Sequence, residues 1–201
     1  MCLIGPTAGG KTSVSKTLLS ENVETLKLSV SVTTRTPRTG EIDQKDYYFI
    51  SEEDFKTKIH NKEFIEWEVN HGMYYGTLKE ALENTSTDLL FDIDIKGAIK
   101  LKALFPERTT VVFFVPPTFE ELKLRLNKRG NISQEEMDRR FETMKLEYST
   151  LLSNKGLIDY FVVNDCFDEA CTHAHSILEA ERSRLSRISL EYINSILKIS
   201  I

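Results

Sequence analysis

Short apolar runs that alternate with longer segments of helical spacing restrict the fold of this chain more than any other feature. The runs span residues 2–4, 26–31, 88–94, 110–115 and 159–165. Strands that alternate with helices in this way are typical of a parallel sheet covered by helices. Helix starts are marked by Ser51, Thr118 and Ser133, each followed three residues later by an acidic residue. The pattern predicts an α/β fold with a parallel core sheet flanked by helices.

Two segments interrupt the alternation. Residues 31–85 contain short strand-like pieces around one helix, and we predict a small mixed α/β lobe inserted there. Residues 127–140 are polar and rich in arginine, which is typical of a mobile loop between helices, and we predict a lid. The core then consists of residues 1–30, 86–126 and 141–201.

Composition excludes several classes of protein. A formal net charge of −5 over 201 residues argues against general adhesion to nucleic acid. No apolar run approaches the roughly 18 residues of a membrane helix, and MCLIG is too short for a secretory signal. We therefore predict a cytoplasmic protein with no nucleic-acid or membrane partner. Residues 166–175 contain two cysteines and two histidines, but helical spacing would separate them, so we predict no metal site there.

A glycine-rich stretch follows the first apolar run. Residues 5–12, GPTAGGKT, fit the G-x-x-x-x-G-K-[ST] pattern of a phosphate-binding loop between a strand and a helix. In such a loop backbone N–H groups surround phosphate oxygens, Lys11 neutralises the β- and γ-phosphates, and the Thr12 hydroxyl binds Mg²⁺. A glycine turn that only leads into a helix is the alternative. The predicted triphosphate site comprises Gly5, Pro6, Thr7, Ala8, Gly9, Gly10, Lys11, Thr12 and Ser13.

GTPases are one class that uses such a loop. They resemble one another in an Asn-Lys-x-Asp motif that reads guanine. The three Asn-Lys pairs of this chain, at Asn61, Asn127 and Asn154, all lack the aspartate. The sequence therefore disfavours a GTPase.

The segment SVSVTTRTPRTGEIDQKDYYF, residues 29–49, indicates what accepts the phosphoryl group. It places Arg35 and Arg38 three positions apart in a loop, which suits bidentate binding of a phosphate. This segment, EFIEWEVNHGMYYGT at 63–77 and LLFDIDIKG at 89–97 resemble the guanylate kinases, and the resemblance extends from residue 5 to about residue 182. It implies that the 31–85 lobe binds GMP. The implied phosphate contacts are Arg35, Arg38, Tyr47 and Tyr75, and the implied guanine contacts are Ser31, Glu66 and Thr77.

The chemistry of Glu66 agrees with that implication. Guanine presents N1–H and N2–H₂ donors on one edge, which a carboxylate accepts as a pair, whereas adenine has an unprotonated N1 and no 2-amino group. Adenine would leave a buried carboxylate unpaired, at a cost of about 1–3 kcal/mol or more. Considered alone, Glu66 could equally be a solvated side chain on an exposed strand.

The resemblance also implies the remaining site residues. Asp92 and Asp94 follow a predicted strand at the end where open α/β sheets bind ligands. Asp92 would hold Mg²⁺ together with Thr12, and Asp94 would contact the acceptor nucleotide. VVND resembles the adenine-side loop, with Asn164 as the contact to ATP. RLNKRGNISQEEMDRRF resembles the family's lid, whose arginines close over the ATP phosphates. The predicted catalytic residues are Lys11, Arg35, Arg129 and Arg140.

Two residues depart from the family pattern. Ala8 stands where guanylate kinases usually carry glycine, at a loop position where a positive φ is expected. A positive φ at Ala8 would cost about 1 kcal/mol of strain, which is tolerable if Gly9 adopts the demanding backbone angle. Lys96 stands where the family usually carries glutamine, so we do not assign to Lys96 the contact that the glutamine makes in the family.

Together these residues predict an ATP-dependent GMP kinase that uses Mg²⁺. Two alternatives stay open: a guanylate-kinase-like module that binds phosphopeptides without turnover, and a related kinase of another phosphorylated acceptor. After residue 182, apolar residues at near-helical spacing predict a C-terminal helix. Packing of this helix on its own core is favoured over docking to a second subunit, so the chain is predicted to be a monomer or a homodimer.

Overall fold

The computed structural model describes residues 1–70, 72–82, 87–128 and 133–197. Its strands are β1 Cys2–Ile4, β2 Leu26–Leu28, β3 Val32–Thr33, β4 Tyr48–Phe49, β5 Phe64–Asn70, β6 Met73–Leu78, β7 Asp88–Asp92, β8 Val111–Val115 and β9 Tyr160–Val163. Its α-helices are α1 Lys11–Glu21, α2 Glu52–His60, α3 Ile95–Leu104, α4 Phe119–Lys128, α5 Gln134–Ser153, α6 Phe167–Arg182 and α7 Leu190–Leu197.

The core is a parallel sheet with the strand order β2-β7-β1-β8-β9. Strand β1 is central, so the glycine-rich loop that follows it lies at the middle of the sheet's carboxyl edge. Ligands of open α/β sheets bind at this edge. The predicted parallel α/β core is confirmed, including all five apolar runs that were read as strands.

Helices cover both faces of the core sheet, because alternate residues of each strand point to opposite sides. On one face, Leu3 and Phe114 pack with residues of α1 and α6 such as Leu18 and Ala174. On the other face, Ile4 and Phe113 pack with α3. The two buried apolar clusters hold the sheet rigid beneath the loop.

A second sheet lies within the predicted 31–85 lobe. Its order is β4-β3-β6-β5, with β3 parallel to β4 and antiparallel to β6, and β5 antiparallel to β6. Val32, Phe55 of α2 and Phe64 form its own small apolar cluster. The division of the chain into core, lobe and lid remains a prediction.

Local capping fixes the helix starts. The hydroxyls of Ser51, Thr118 and Ser133 accept hydrogen bonds from backbone N–H groups three residues later, at 3.0, 3.0 and 3.2 Å. All three predicted starts are confirmed. The helix expected after Lys96 begins earlier, at Ile95, because the Asp94 carboxylate caps it by accepting from the Gly97 N–H at 2.8 Å.

The C-terminal segment differs from its prediction. Of the residues expected to pack on the core, Leu185, Tyr192 and Ile196 are 60–76% exposed, so the expectation is wrong for these three. Ile188 is half-buried, and Ile199 lies outside the described residues. A polar contact anchors the segment instead: Arg187 donates to the buried carboxylate of Glu181 at 2.9 Å. Across the described ranges, no helix is long and apolar enough to cross a membrane. Nor do the described Cys, His, Asp and Glu side chains group to hold a metal ion by themselves.

Candidate active site

The glycines of the phosphate loop are required by close approaches of the backbone. Gly5 has φ +127°, and a Cβ there would lie 2.1 Å from the Phe114 carbonyl oxygen of β8. Gly10 has φ +95°, and a Cβ there would lie 1.8 Å from Nδ2 of Asn164. A side chain at position 5 would push the loop away from the sheet, and one at position 10 would displace the Asn164 amide, so both positions favour glycine.

The loop leaves the start of α1 open to a ligand. Gly10 is the N-cap of α1 and supplies no side-chain hydrogen bond to its first N–H groups. The Lys11 ammonium folds back and donates to the backbone oxygens of Gly5 and Pro6. Thr12 and Ser13 are exposed at the first turn. Backbone donors, a lysine and two hydroxyls therefore converge where phosphate oxygens would bind.

Ala8 adopts the left-handed conformation itself, with φ +65°. The expectation that Gly9 would take this angle is wrong, since the positive φ values of the loop belong to Gly5, Ala8 and Gly10. A non-glycine residue in this region costs about 1–2 kcal/mol. The Ala8 side chain is buried and packs in a cluster with Leu122 of α4 and Met137 of α5, which offsets part of the strain.

Asn164 lies behind the loop. It is 4% exposed, and its Nδ2 donates to the Gly9 carbonyl oxygen at 2.9 Å. The amide therefore supports the loop from the β9 side. Its contact with adenine, which the family resemblance implies, stays a prediction.

The second sheet buries a carboxylate beside a hydroxyl. Glu66 of β5 pairs with Thr77 of β6 in the sheet register, and the Thr77 Oγ1 donates to the Glu66 Oε1 at 2.6 Å. Glu66 is 7% exposed, Thr77 is fully buried and Ser31 is 8% exposed. Burial raises the pKa of Glu66, and the Thr77 hydrogen bond only partly opposes this. The alternative of a solvated Glu66 is therefore wrong.

Gly97 was not predicted to belong to the site, although it lies in the LLFDIDIKG motif. A Cβ at this position would lie 3.0 Å from Oε2 of Glu66. Glycine lets the first turn of α3 approach the Glu66 carboxylate closely. The only sequence signal was a glycine inside a helix, which is unfavourable unless packing requires it.

Arg35 is held by a partner that sequence reasoning missed. Its Nη1 and Nη2 donate to the two carboxylate oxygens of Glu41, both at 2.9 Å, and the backbone N–H of Arg38 donates to the same carboxylate at 2.7 Å. This bidentate pair raises the pKa of Arg35 and lowers that of Glu41. Glu41 thus fixes the guanidinium and the loop backbone together.

Two tyrosines complete this side of the site. The Arg35 guanidinium lies 5.4 Å from the centre of the Tyr47 ring, and that ring meets Tyr75 edge-on at 6.2 Å. Burial raises the pKa of Tyr47 to about 12, so its hydroxyl stays a hydrogen-bond donor at neutral pH. The Arg38 side chain is exposed nearby.

The acidic residues after β7 occupy different environments. Burial raises the pKa of Asp92, and the nearby Lys11 charge opposes that rise. Asp94 caps α3 and also accepts from Nδ2 of Asn70 at 3.0 Å. Asp92 is therefore a desolvated carboxylate next to the phosphate loop, whereas Asp94 links the lobe to the core.

Of the two predicted lid arginines, Arg140 lies among the described residues. Arg140 lies on α5, where its Nε donates to Glu136 at 2.8 Å. Arg129 lies outside the described residues. The exposed side chain of Lys96 points away from the buried part of α3.

One cleft of about 230 Å³ brings nine of the predicted residues together. The predicted residues along its wall are Gly5, Thr7, Lys11, Ser31, Tyr47, Glu66, Tyr75, Asp92 and Asp94. Thr77 contacts the cleft residue Glu66 and Arg35 contacts the cleft residue Tyr47, whereas Arg38 does not line the cleft. Glu68, Asn70 and Glu147 also line the cleft but were not predicted. The glycine-rich loop and the buried Glu66 carboxylate therefore line the same cleft.

A parallel core with a phosphate loop after its central strand, and an inserted lobe that faces the loop, define a phosphate-loop kinase of the nucleoside monophosphate class. A family model described as guanylate kinase matches residues 1–181. The chain belongs to the guanylate kinase family.

Individual relatives agree with that assignment. A guanylate kinase of Caldanaerobacter subterraneus subsp. tengcongensis is 42% identical over 186 residues, which cover 91% of this chain and 87% of the relative. One of Maricaulis maris is 44% identical over 191 residues, covering 93% and 85%. The crystal structure of guanylate kinase from Anaplasma phagocytophilum matches with a TM-score of 0.76 at 31% identity, covering 99% of this chain and 95% of that one.

Proposed function

We propose that this chain transfers the γ-phosphoryl group of ATP to GMP, yielding ADP and GDP. The observation that carries the proposal is the buried Glu66 carboxylate, which accepts a hydrogen bond from Thr77 and lines the same cleft as the glycine-rich loop. Membership of the guanylate kinase family supports the same activity. The guanine edge would donate N1–H and N2–H₂ to Glu66, with Ser31 and Thr77 supplying further polar contacts.

On the donor side, residues 5–13 would surround the ATP phosphates with backbone N–H groups, and Lys11 would leave its resting contacts to neutralise them. The exposed Thr12 hydroxyl and the Asp92 carboxylate are oxygen donors of the kind that Mg²⁺ prefers, so they fit this ion. Mg²⁺ bound with ATP would neutralise charge on the β- and γ-phosphate oxygens.

On the acceptor side, Arg35, Arg38, Tyr47 and Tyr75 would hold the GMP phosphate. Glu41 keeps Arg35 in a planar, bidentate arrangement before the substrate arrives, so less side-chain freedom is lost on binding. Asp94 would contact the acceptor nucleotide while it caps α3.

The transfer itself needs positioning and charge neutralisation more than proton transfer. The attacking GMP phosphate oxygen is anionic at neutral pH, so no general base is required. Lys11, Arg35, Arg129 and Arg140 would stabilise the negative charge in the transition state. Closure of the 127–140 lid would deliver its arginines to the ATP phosphates and exclude water.

A coupled assay of ADP formation tests the proposal. We expect turnover with GMP and ATP, little with AMP as acceptor, and a loss of at least about 100-fold in kcat for Lys11→Ala. Lys16→Ala, on the exposed side of the same helix, is the control and should retain activity. Absence of ADP formation by the wild-type chain would favour the phosphopeptide-binding alternative. Equal rates with GMP and AMP would refute base selection by Glu66.

The small-molecule substrates require neither nucleic acid nor a membrane as partner, and a cytoplasmic location fits their supply. The monomer and the homodimer both remain compatible with the proposed activity.

A further inference from the structure

Glu147 of α5 is a cleft residue that the proposed mechanism does not use. It lines the cleft together with Lys11, Asp92 and Asp94. Its Oε2 is fully buried and has no hydrogen-bond partner among the described residues. A buried carboxylate oxygen without a partner costs about 1–3 kcal/mol or more, so its retention in the fold calls for a ligand that supplies the missing donor.

Two other glutamates of α5, Glu136 and Glu142, show what is unusual about Glu147. Glu136 pairs with Arg140 at 2.8 Å, and Glu142 pairs with Lys145 at 2.7 Å. Glu147 has no basic residue three or four positions away on its helix. Burial raises its pKa to about 7, with the Lys11 charge acting in the opposite direction. Glu147 is therefore a desolvated carboxylate that faces the nucleotide site instead of a helix neighbour.

Helix geometry relates Glu147 to the predicted lid. Arg140 and Glu147 are seven residues apart, which is close to two turns, so both side chains project from the same stripe of α5. The stripe thus carries a cation near the predicted lid and an anion two turns later, inside the cleft. The cation would suit the negative phosphate chain of a bound nucleotide, and the anion would suit its positive metal ion.

We propose that Glu147 is a positioning residue for the nucleotide-bound Mg²⁺, accepting hydrogen bonds from the water molecules of that ion. This inference rests on the proposed function. Phosphate oxygens would repel the carboxylate, and Glu66 already provides the acceptors for the guanine edge. Mg²⁺ in nucleotide sites keeps several of its waters, and these are donors that carry positive charge. Asp92 and Glu147, which both lie near Lys11, would then bind the hydrated ion from two elements of the fold.

The test compares ATP affinity with and without the metal. Calorimetric titrations with ATP are made in excess Mg²⁺ and in EDTA for wild type, Glu147→Gln and the control Glu142→Gln. Outer-sphere partners of a metal contribute about 10- to 100-fold to its affinity. We expect Glu147→Gln to reduce the gain in ATP affinity caused by Mg²⁺ at least 10-fold, whereas Glu142→Gln leaves this gain unchanged. Glutamine keeps the shape of the side chain and removes a desolvated charge, so the fold should persist.

Several outcomes would overturn the inference. A Mg²⁺-dependent gain in Glu147→Gln within twofold of wild type would show that the carboxylate does not contribute to the metal. A change confined to GMP affinity would assign Glu147 to the acceptor nucleotide instead. Glu147→Asp withdraws the carboxylate by one methylene, so its Mg²⁺-dependent gain in ATP affinity should lie between those of wild type and Glu147→Gln. If Glu147→Gln does not fold, an unchanged gain in Glu147→Asp would refute the role. If wild type bound no ATP in either condition, the proposed function itself would fail.

Discussion

Replacing Glu66 by glutamine should separate base recognition from stability. The substitution keeps the size of the side chain and one oxygen, which can still accept the Thr77 hydrogen bond of 2.6 Å. The second oxygen becomes an NH₂ group, which would face a donor of the guanine edge. One hydrogen bond to a charged acceptor is lost, worth about 1.5–3 kcal/mol. We expect kcat/KM for GMP to fall about 10- to 150-fold, since 1.4 kcal/mol corresponds to a factor of ten.

The same variant should be more stable than wild type at neutral pH. Burial raises the folded-state pKa of Glu66 above its ordinary value of 4.5, so the folded protein holds this proton more tightly than the unfolded chain does. The ionised carboxylate therefore lowers the stability of the wild-type fold as the pH rises above that value. Glutamine removes this penalty. We therefore expect Glu66→Gln to have a higher Tm than wild type at pH 7.5, and the two proteins to have nearly equal Tm values near pH 4.

The assay measures kcat/KM with GMP, IMP and AMP, together with thermal unfolding at the two pH values. IMP has the N1–H donor but no 2-amino group, so its loss should be smaller than that of GMP. Glu53→Gln, on the exposed surface of α2 in the same lobe, is the matched control. An unchanged preference for GMP over AMP would refute the assignment of Glu66 as the base-reading residue. An unchanged or lower Tm at pH 7.5 would refute the argument from burial.

Two further substitutions test the supports of the acceptor site. Gly97→Ala places a Cβ 3.0 Å from Oε2 of Glu66, so we expect KM for GMP to rise about 10-fold while ATP affinity, measured by calorimetry, stays constant. Gly156→Ala is its control, because a Cβ there meets no atom within 4 Å, and an equal effect of both would contradict the prediction. Glu41→Gln removes the charge that fixes Arg35 at 2.9 Å, and we expect steady-state kinetics to show KM for GMP raised several-fold at unchanged ATP affinity. A GMP KM equal to that of wild type would mean that Arg35 does not need this partner.

Local patterns predicted the parts of the fold that depend on neighbouring residues in sequence. The apolar runs form strands, and the hydroxyls of Ser51, Thr118 and Ser133 cap helices. Both features could be predicted because they depend on interactions over a few residues. The strand order could not be derived in the same way, since β1 pairs with β7 and β8 across more than 80 residues. The family resemblance, not periodicity, supplied the guanine and phosphate contacts.

The site residues that sequence reasoning missed share a physical cause. Gly97 matters because α3 approaches β5, Glu41 because a loop folds back on Arg35, and Glu147 because α5 passes over the cleft. Each of these roles arises from contact between elements distant in sequence or from a loop conformation that no short motif records. Ala8 is a related case: its position was noted, but its backbone angle depended on the packing around it.

Ala8 connects the glycine-rich loop to helices α4 and α5, because its methyl group shares a buried cluster with Leu122, Leu126 and Met137. Tight packing transmits a change of volume to its neighbours. Aliphatic substitutions in α4 and α5 therefore offer protein engineers a way to retune nucleotide turnover without altering a single ionisable group.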